Sequence, residues 1–194
     1  MELAGRAGGL VPTTRIALRD LVLRGGVPIE TLSSDKLERD PQVARRLFDL
    51  VEAQPADVFV VASQSGINGS IVEFASAVKD HGHDLIAVTS TQHSGGTPSR
   101  HPSGRKLSDL ADVVLDNRAP YGDSLLTLPD GGSVCAVSSI SGALLAQMVV
   151  AEVVRRQLDA GETPPVYLSA NVPGGDSHNN TLESRYAGRI RRGA

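Results

Sequence analysis

The chain has 194 residues and a mass of 20.3 kDa, a size that fits one domain with a full hydrophobic core. Its net charge of −3 and its 3% of aromatic residues exclude a basic surface for duplexes and the stacking platforms that bind single-stranded nucleic acid. A single Cys excludes a disulfide framework and favours a reducing compartment. No unbroken apolar run approaches a membrane span and no signal segment follows Met1, so we expect a cytoplasmic protein without membrane contact.

The first strong element along the chain is a helix. Asp40-Pro41 predicts its start, with Asp as the cap and Pro at the first position, and the pattern runs to about Ala53. Residues 57–63 then form a continuous β-branched run that is typical of a strand buried on both faces. A turn follows, and Asn68 is expected to cap a second helix, which Gly82 ends.

The strand pattern returns twice more. Residues 85–90 and 112–116 predict further strands, and between them residues 91–103 form a Gly/Ser/Pro-rich stretch that predicts a long functional loop. Residues 125–128 and 134–137 predict a hairpin or an irregular strand pair. Strands that alternate with helices are typical of a parallel α/β sheet.

The longest predicted helix covers residues 141–158 and is apolar nearly all round. Such a helix is typical of a protein core or of an interface between subunits.

Several predicted strands end in hydroxyl residues that lead into a turn or a helix start. Because the carboxyl ends of parallel strands lie along one edge of a sheet, we expect these side chains to converge there and to bind phosphate together with helix N-termini. Each serine can instead serve only as a helix cap, and that structural interpretation stays open. The hydroxyl groups belong to Ser63 with Ser65, Thr89 with Ser90, and Ser138 with Ser139 and Ser141.

Residues Ser63-Gln64-Ser65-Gly66 resemble the Ser-x-Ser-Gly phosphosugar loop of the SIS (sugar isomerase) domain family. Four further stretches are similar to one bacterial, phosphoheptose-isomerase-like subfamily. They are residues 7–10, 99–104 and 111–117, and the segment 169–179 with its Asn-Val-Pro-Gly-Gly-Asp-x-His-Asn motif. The resemblance covers almost the whole chain.

This resemblance implies a flavodoxin-like, three-layer α/β/α domain with a mostly parallel five-stranded sheet and a site at the strand ends. It implies a sugar phosphate as the ligand, a homo-oligomer (dimer or tetramer), and neither a cofactor nor a metal. The helix at 141–158 would pack on a second subunit and complete the site. The implied phosphate-binding residues are Ser63, Ser65, Gly66, Asn68, Ser90 and Ser138.

The sequence departs from the family in two places. Its relatives begin earlier, with a helix, a strand and a glycine-rich loop, so we expect the single domain (1–194) to be incomplete at its N-terminus. Relatives also often carry a His-Glu pair where this chain has Leu23-Arg24-Gly25-Gly26, which weakens an isomerase assignment. At the other end, residues 169–194 are expected to form an irregular segment and tail.

The catalytic candidates are His178, Glu73 and His101, because aldose–ketose isomerisation needs an acid and a base. His178 is favoured, since the glycines before it predict a tight turn. The structural alternatives are a solvated His101 in a polar loop and a Glu73 that faces solvent from its helix. Asp176 and His178 together offer two metal ligands, which are too few to predict a metal site.

The sequence therefore predicts a protein that binds a phosphorylated sugar and interconverts an aldose and a ketose. Two alternatives stay open: a non-catalytic phosphosugar sensor or regulatory protein, and a lyase that acts on a sugar-phosphate ether.

Overall fold

The computed structural model describes residues 2–33, 37 and 40–190. The sequence predicted one domain, and the structure divides into two compact units, each treated by itself below. The sheet unit comprises Ile16–Gly142, and the terminal unit comprises Met1–Arg15 together with Ala143–Ala194. In chain order, the described elements are α1 (Asp20–Leu23), a 3-10 helix (Ile29–Ser33), α2 (Pro41–Asp49), β1 (Val58–Ala62), α3 (Gly69–Asp80), β2 (Asp84–Thr89), α4 (Thr91–Gly95), α5 (Leu107–Leu110), β3 (Val113–Asp116), β4 (Ser124–Thr127), β5 (Ser133–Ala136), α6 (Val137–Asp159) and α7 (Gly175–Arg185).

The sheet unit has a parallel sheet in the order β1-β2-β3, with helices against it, which confirms the α/β class. Val60 pairs with Ile86, and Ile86 pairs with Val113. Within the described ranges this sheet has three strands rather than the five that the resemblance implied. The reason is that β4 and β5 pair antiparallel with each other in a separate sheet, because the short turn between them returns the chain directly.

The core of the sheet unit lies between one face of this sheet and α3. Phe59, Leu85 and Ala87 point to this face, as the two-residue period of strands requires, and they are in one apolar cluster with Val72 and Val78 of α3. On the other face of β1, Val58 and Val60 are 53% and 41% exposed. Packing against this face of the sheet thus fixes the position of α3, the helix that follows β1.

Helix α6 is 23 residues long and starts earlier than predicted, directly after β5. Val150 is its one buried residue, and Ile140, Leu144 and Met148 are all more than half exposed. By length and composition alone α6 could cross a membrane, a property shared by core helices of soluble proteins. The sequence had suggested a core or an interface helix, and the structure leaves the apolar surface of α6 exposed.

In the terminal unit, Leu10 forms an antiparallel bridge with Val166. The segment 169–194 was predicted to be irregular, and this prediction is wrong for Gly175–Arg185, which is α7. Residues 191–194 of the predicted tail lie outside the described residues. Gly174, at φ +80°, turns the chain into the helix, and a Cβ on Gly175 would lie 2.1 Å from the carbonyl oxygen of Ser169. Two glycines that suggested an irregular turn therefore allow a helix to start against neighbouring backbone.

Candidate functional site

The loop that resembles the phosphosugar loop follows β1 and is held tightly. The Ser63 hydroxyl oxygen accepts the backbone N–H of Gly66 at 3.3 Å. Gly66 has φ +63°, and a Cβ there would lie 3.1 Å from Oγ1 of Thr89 and 3.2 Å from Cβ of Leu107. The carbonyl of Gly66 accepts the N–H of Leu107 at 2.9 Å. Glycine is therefore strongly favoured at this turn, both for its backbone conformation and for the close approach.

Helix α3 begins after Asn68, as predicted, but the Asn68 side chain makes no cap hydrogen bond. Its Oδ1 instead accepts a hydrogen bond from Nη1 of Arg100 at 3.1 Å. Because the carbonyl end of the amide is engaged, the NH2 group is the end that can donate to a ligand.

The loops after the three parallel strands are joined at one edge of the sheet, where two of the three predicted hydroxyl clusters, those of Ser63 and of Thr89, lie. The backbone carbonyl of Gln64 accepts from Oγ1 of Thr89 at 3.2 Å and from the N–H of Ser90 at 3.0 Å. Its side-chain Oε1 accepts from Nδ2 of Asn117, just after β3, at 2.7 Å. Neither Gln64 nor Asn117 had a predicted role, because only the folded sheet brings these amides together.

Two of the predicted phosphate ligands have structural roles instead. Ser90 is fully buried, donates to the carbonyl of Ala119 at 2.6 Å and caps α4 by accepting the N–H of His93. Ser138 follows an antiparallel strand rather than a strand of the parallel sheet, and its N–H and hydroxyl both donate to the Asp123 carboxylate. The predicted ligand contacts of Ser90 and Ser138 are corrected accordingly.

Ser65 differs from these serines. It is half-buried near the tip of the loop, and its hydroxyl forms no hydrogen bond with any residue that the structure describes. A hydroxyl that is held in a rigid loop and not used by the fold is suited to bind an oxygen of a ligand.

Residues 99–105, here called the Arg-His loop, lie against the start of α3. The backbone N–H of Arg100 donates to the carbonyl of Ile67 at 2.9 Å. The Ser99 hydroxyl donates to the carbonyl of Arg105 at 2.6 Å and accepts the N–H of His101 at 3.1 Å. The end of the predicted loop 91–103 is thus a closed turn that is fixed beside the Ser63–Asn68 segment, whereas its start was wrongly predicted as loop and is helix α4.

The Arg-His loop brings His101 to Glu73, and their Nε2 and Oε2 atoms are 2.8 Å apart. The two side chains are only 10% and 12% exposed. The alternative interpretations, a solvated His101 and a Glu73 that faces solvent, are therefore wrong. Glu73 lies on the side of α3 that is covered by α2, where Arg45 binds its other carboxylate oxygen, and by the loop.

The hydrogen bonds around His101 define its tautomer. Nδ1 lies 3.2 Å from the backbone N–H of Ser103, which can only donate, so Nδ1 carries the lone pair. The ring proton is then on Nε2 and is donated to Glu73. The Ser103 hydroxyl is 2.8 Å from Nδ1, on the exposed side of the His101 ring.

The environment of Glu73 keeps its carboxylate charged. Burial works to raise the pKa of Glu73, but the hydrogen bonds from His101 and Arg45 and the charge of Arg45 outweigh burial, and the net pKa is lowered. An ionised Glu73 is unsuited to donate a proton. It accepts the Nε2 proton and so orients the ring of His101.

His178, the favoured histidine of the sequence analysis, lies on α7 in the terminal unit. Its Nε2 is 3.0 Å from the carbonyl oxygen of Val166, and a carbonyl only accepts, so Nε2 carries the proton there. This bond links α7 to the backbone beside the bridge of Leu10 and Val166.

Comparisons with known proteins agree with this structure. A family model described as the SIS domain matches residues 1–90, and this domain generally binds phosphosugars. A UPF0309 protein of Caldanaerobacter subterraneus is 36% identical over 193 residues, which cover 98% of this chain and 77% of the relative. UPF0309 proteins of Listeria monocytogenes and Geobacillus kaustophilus are 39% and 37% identical, with 98% and 97% of this chain and 76% and 74% of the relatives covered. The chain belongs to the UPF0309 family, and the match of its own residues 1–90 to the SIS domain agrees with the α/β fold described above.

Proposed function

We propose that this protein binds a phosphorylated sugar with its phosphate at the Ser63–Asn68 loop. The support is the rigid turn at Gly66, the unused hydroxyl of Ser65 and the amide of Asn68 at the start of α3. A helix N-terminus has partial positive charge and unpaired N–H groups, both of which stabilise a phosphate.

The proposed reaction is aldose–ketose isomerisation, with His101 as the group that moves the proton. Its Nδ1 lone pair, once released from the Ser103 N–H, takes the proton from C2 of the aldose, and the C2–H electrons form the enediol. The proton on Nδ1 exchanges with solvent at this stage, and Nδ1 then delivers a proton to C1. The hydroxyl proton on O2 is lost as the C2 carbonyl forms, while O1 gains one. The observation that carries this proposal is the bond between His101 and ionised Glu73 on the helix that follows the phosphate loop.

One observation favours a non-catalytic phosphosugar sensor as the second candidate. The family's His-Glu pair is replaced by Leu23-Arg24-Gly25-Gly26. The carboxylate of Glu73 is already committed to His101 and Arg45, so it does not replace the missing Glu as a free base. A sensor would use the same phosphate loop and leave the carbon–hydrogen bonds of the sugar unbroken.

Deuterium exchange distinguishes these functions. The protein is incubated in D2O with aldose and ketose phosphates of different chain lengths, and NMR follows deuterium at C1 and C2. An isomerase incorporates deuterium into one of these sugars, and His101→Gln abolishes the incorporation. Tight binding of a sugar phosphate without exchange would favour the sensor.

His178→Gln is the comparison variant, because it tests the other predicted histidine. We expect exchange to continue in this variant, since Gln can still donate to the carbonyl of Val166. Loss of exchange in His178→Gln but not in His101→Gln would assign the proton transfer to the terminal unit.

A further inference from the structure

Arg100 is held beside the proposed phosphate loop by two different contacts. Its backbone N–H donates to the carbonyl of Ile67, and its Nη1 donates to Oδ1 of Asn68. Both contacts are with the residues directly before α3. One edge of the guanidinium is thus fixed at the first turn of a 12-residue helix, while the residue as a whole remains exposed.

The charge of Arg100 has no counter-ion within the part of the chain that the structure describes. Two other arginines of the sheet unit do form ion pairs, Arg45 with Glu73 and Arg118 with Asp116. The positive charge of a guanidinium is unfavourable next to the positive N-terminal end of a helix, unless an anion binds between them and neutralises the two charges. Its planar fork has further N–H donors, which suit two oxygens of a phosphate.

We propose that Arg100 binds the phosphate of the ligand and makes the site selective for a dianionic phosphate monoester. This inference rests on the proposed function and adds a charged residue to it. The phosphate lies between the guanidinium of Arg100, the hydroxyl of Ser65 and the NH2 group of Asn68. Neutral sugars make none of these charge-assisted bonds and are rejected.

This placement also couples phosphate binding to the proposed proton transfer, because Arg100 and His101 are consecutive residues. A phosphate bound by Arg100 fixes the Arg-His loop against α3 from one side, while the bond with Glu73 fixes it from the other. The position of the sugar relative to Nδ1 of His101 is then determined by the phosphate.

The test compares Arg100→Gln with Arg105→Gln, which removes the same charge from the same loop. Arg105 is exposed, and its Nη2 donates to the carbonyl of Asp109. Calorimetric titrations use inorganic phosphate and sugar phosphates at about pH 8, well above the second pKa of a phosphate ester near 6. We expect affinity to fall about 10- to 100-fold in Arg100→Gln and less than about 2-fold in Arg105→Gln. Arg100→Lys should be intermediate, because it keeps the charge without the fork.

The outcomes separate this inference from the proposed function. If the parent protein binds sugar phosphates and Arg100→Gln binds them as tightly, the role of Arg100 is overturned and phosphosugar binding stands. Equal losses in Arg100→Gln and Arg105→Gln would show a general effect of charge and would also overturn it. If the parent protein binds neither inorganic phosphate nor any sugar phosphate, the proposed function fails and the inference fails with it.

Discussion

His101 and Glu73 are 28 residues apart in the sequence, and a 2.8 Å hydrogen bond joins Nε2 of the histidine to Oε2 of the glutamate. The bond fixes the Arg-His loop to α3, close to where that helix starts. Because both side chains are about nine-tenths buried, the pair is shielded from solvent and contributes more than an exposed pair would.

Glu73→Gln should reduce the free energy of unfolding by about 1–3 kcal/mol at neutral pH, because it removes a charged acceptor of hydrogen bonds from His101 and Arg45. The pKa of Glu73 is lowered in the folded state from 4.5. A lowered folded pKa stabilises the protein above the unfolded pKa, and this stability is lost as pH falls through the folded value. Urea denaturation from neutral pH to about pH 3 measures it.

The informative quantity is the difference in the free energy of unfolding between the parent protein and Glu73→Gln, since the other carboxylates titrate in both proteins. It should shrink as pH falls below 4.5. A difference that does not change with pH would contradict an ionised Glu73.

The sequence predicted the fold class and the turn after β1 because their signals are local. The β-branched run before Ser63 and the turn at Gly66 each depend on a few neighbouring residues. The role of Glu73 could not be predicted in this way. Helix α3 is buried on more than its sheet-facing side, and the second covered side depends on contacts with α2 and with a distant loop.

Ser138 shows a different limit of sequence reasoning. A strand that ends in serine has the same local pattern in a parallel sheet and in a hairpin. The partner strand decides between them, and β5 pairs with β4. Arg100 was within a recognised motif, but its bond with Asn68 appears only after folding, when the loop meets the helix start.

Ser90→Ala should destabilise the protein without changing its affinity for sugar phosphates. The buried hydroxyl caps α4 and donates to the carbonyl of Ala119, so its removal should cost about 1–3 kcal/mol. Chemical denaturation measures the stability. Calorimetry measures the affinity of the protein that remains folded. A weaker affinity with unchanged stability would restore Ser90 to the ligand site.

Ser65→Ala should have the opposite effect. Its hydroxyl makes no bond within the described part of the fold, so the free energy of unfolding should stay within about 0.5 kcal/mol of the parent value. Affinity for a sugar phosphate should weaken by about 1–3 kcal/mol, the contribution of one hydrogen bond to a charged group. Unchanged affinity would place the phosphate away from this loop.

Gly66→Ala tests whether the loop depends on close packing as well as on backbone conformation. Gly82→Ala is the matched control, because Gly82 has φ +79° and a Cβ there would meet no atom within 4 Å, whereas Gly66 has φ +63° and a Cβ there would lie 3.1 Å from Oγ1 of Thr89. The backbone penalty should cost about 1–2 kcal/mol in both variants. Gly66→Ala should lose more stability than this and also lose sugar-phosphate binding, since Thr89 and Leu107 lie on buried elements that cannot move apart freely. Chemical denaturation and calorimetry on both variants measure the two effects, and equal stability losses with intact binding would show that the loop tolerates a side chain at this position.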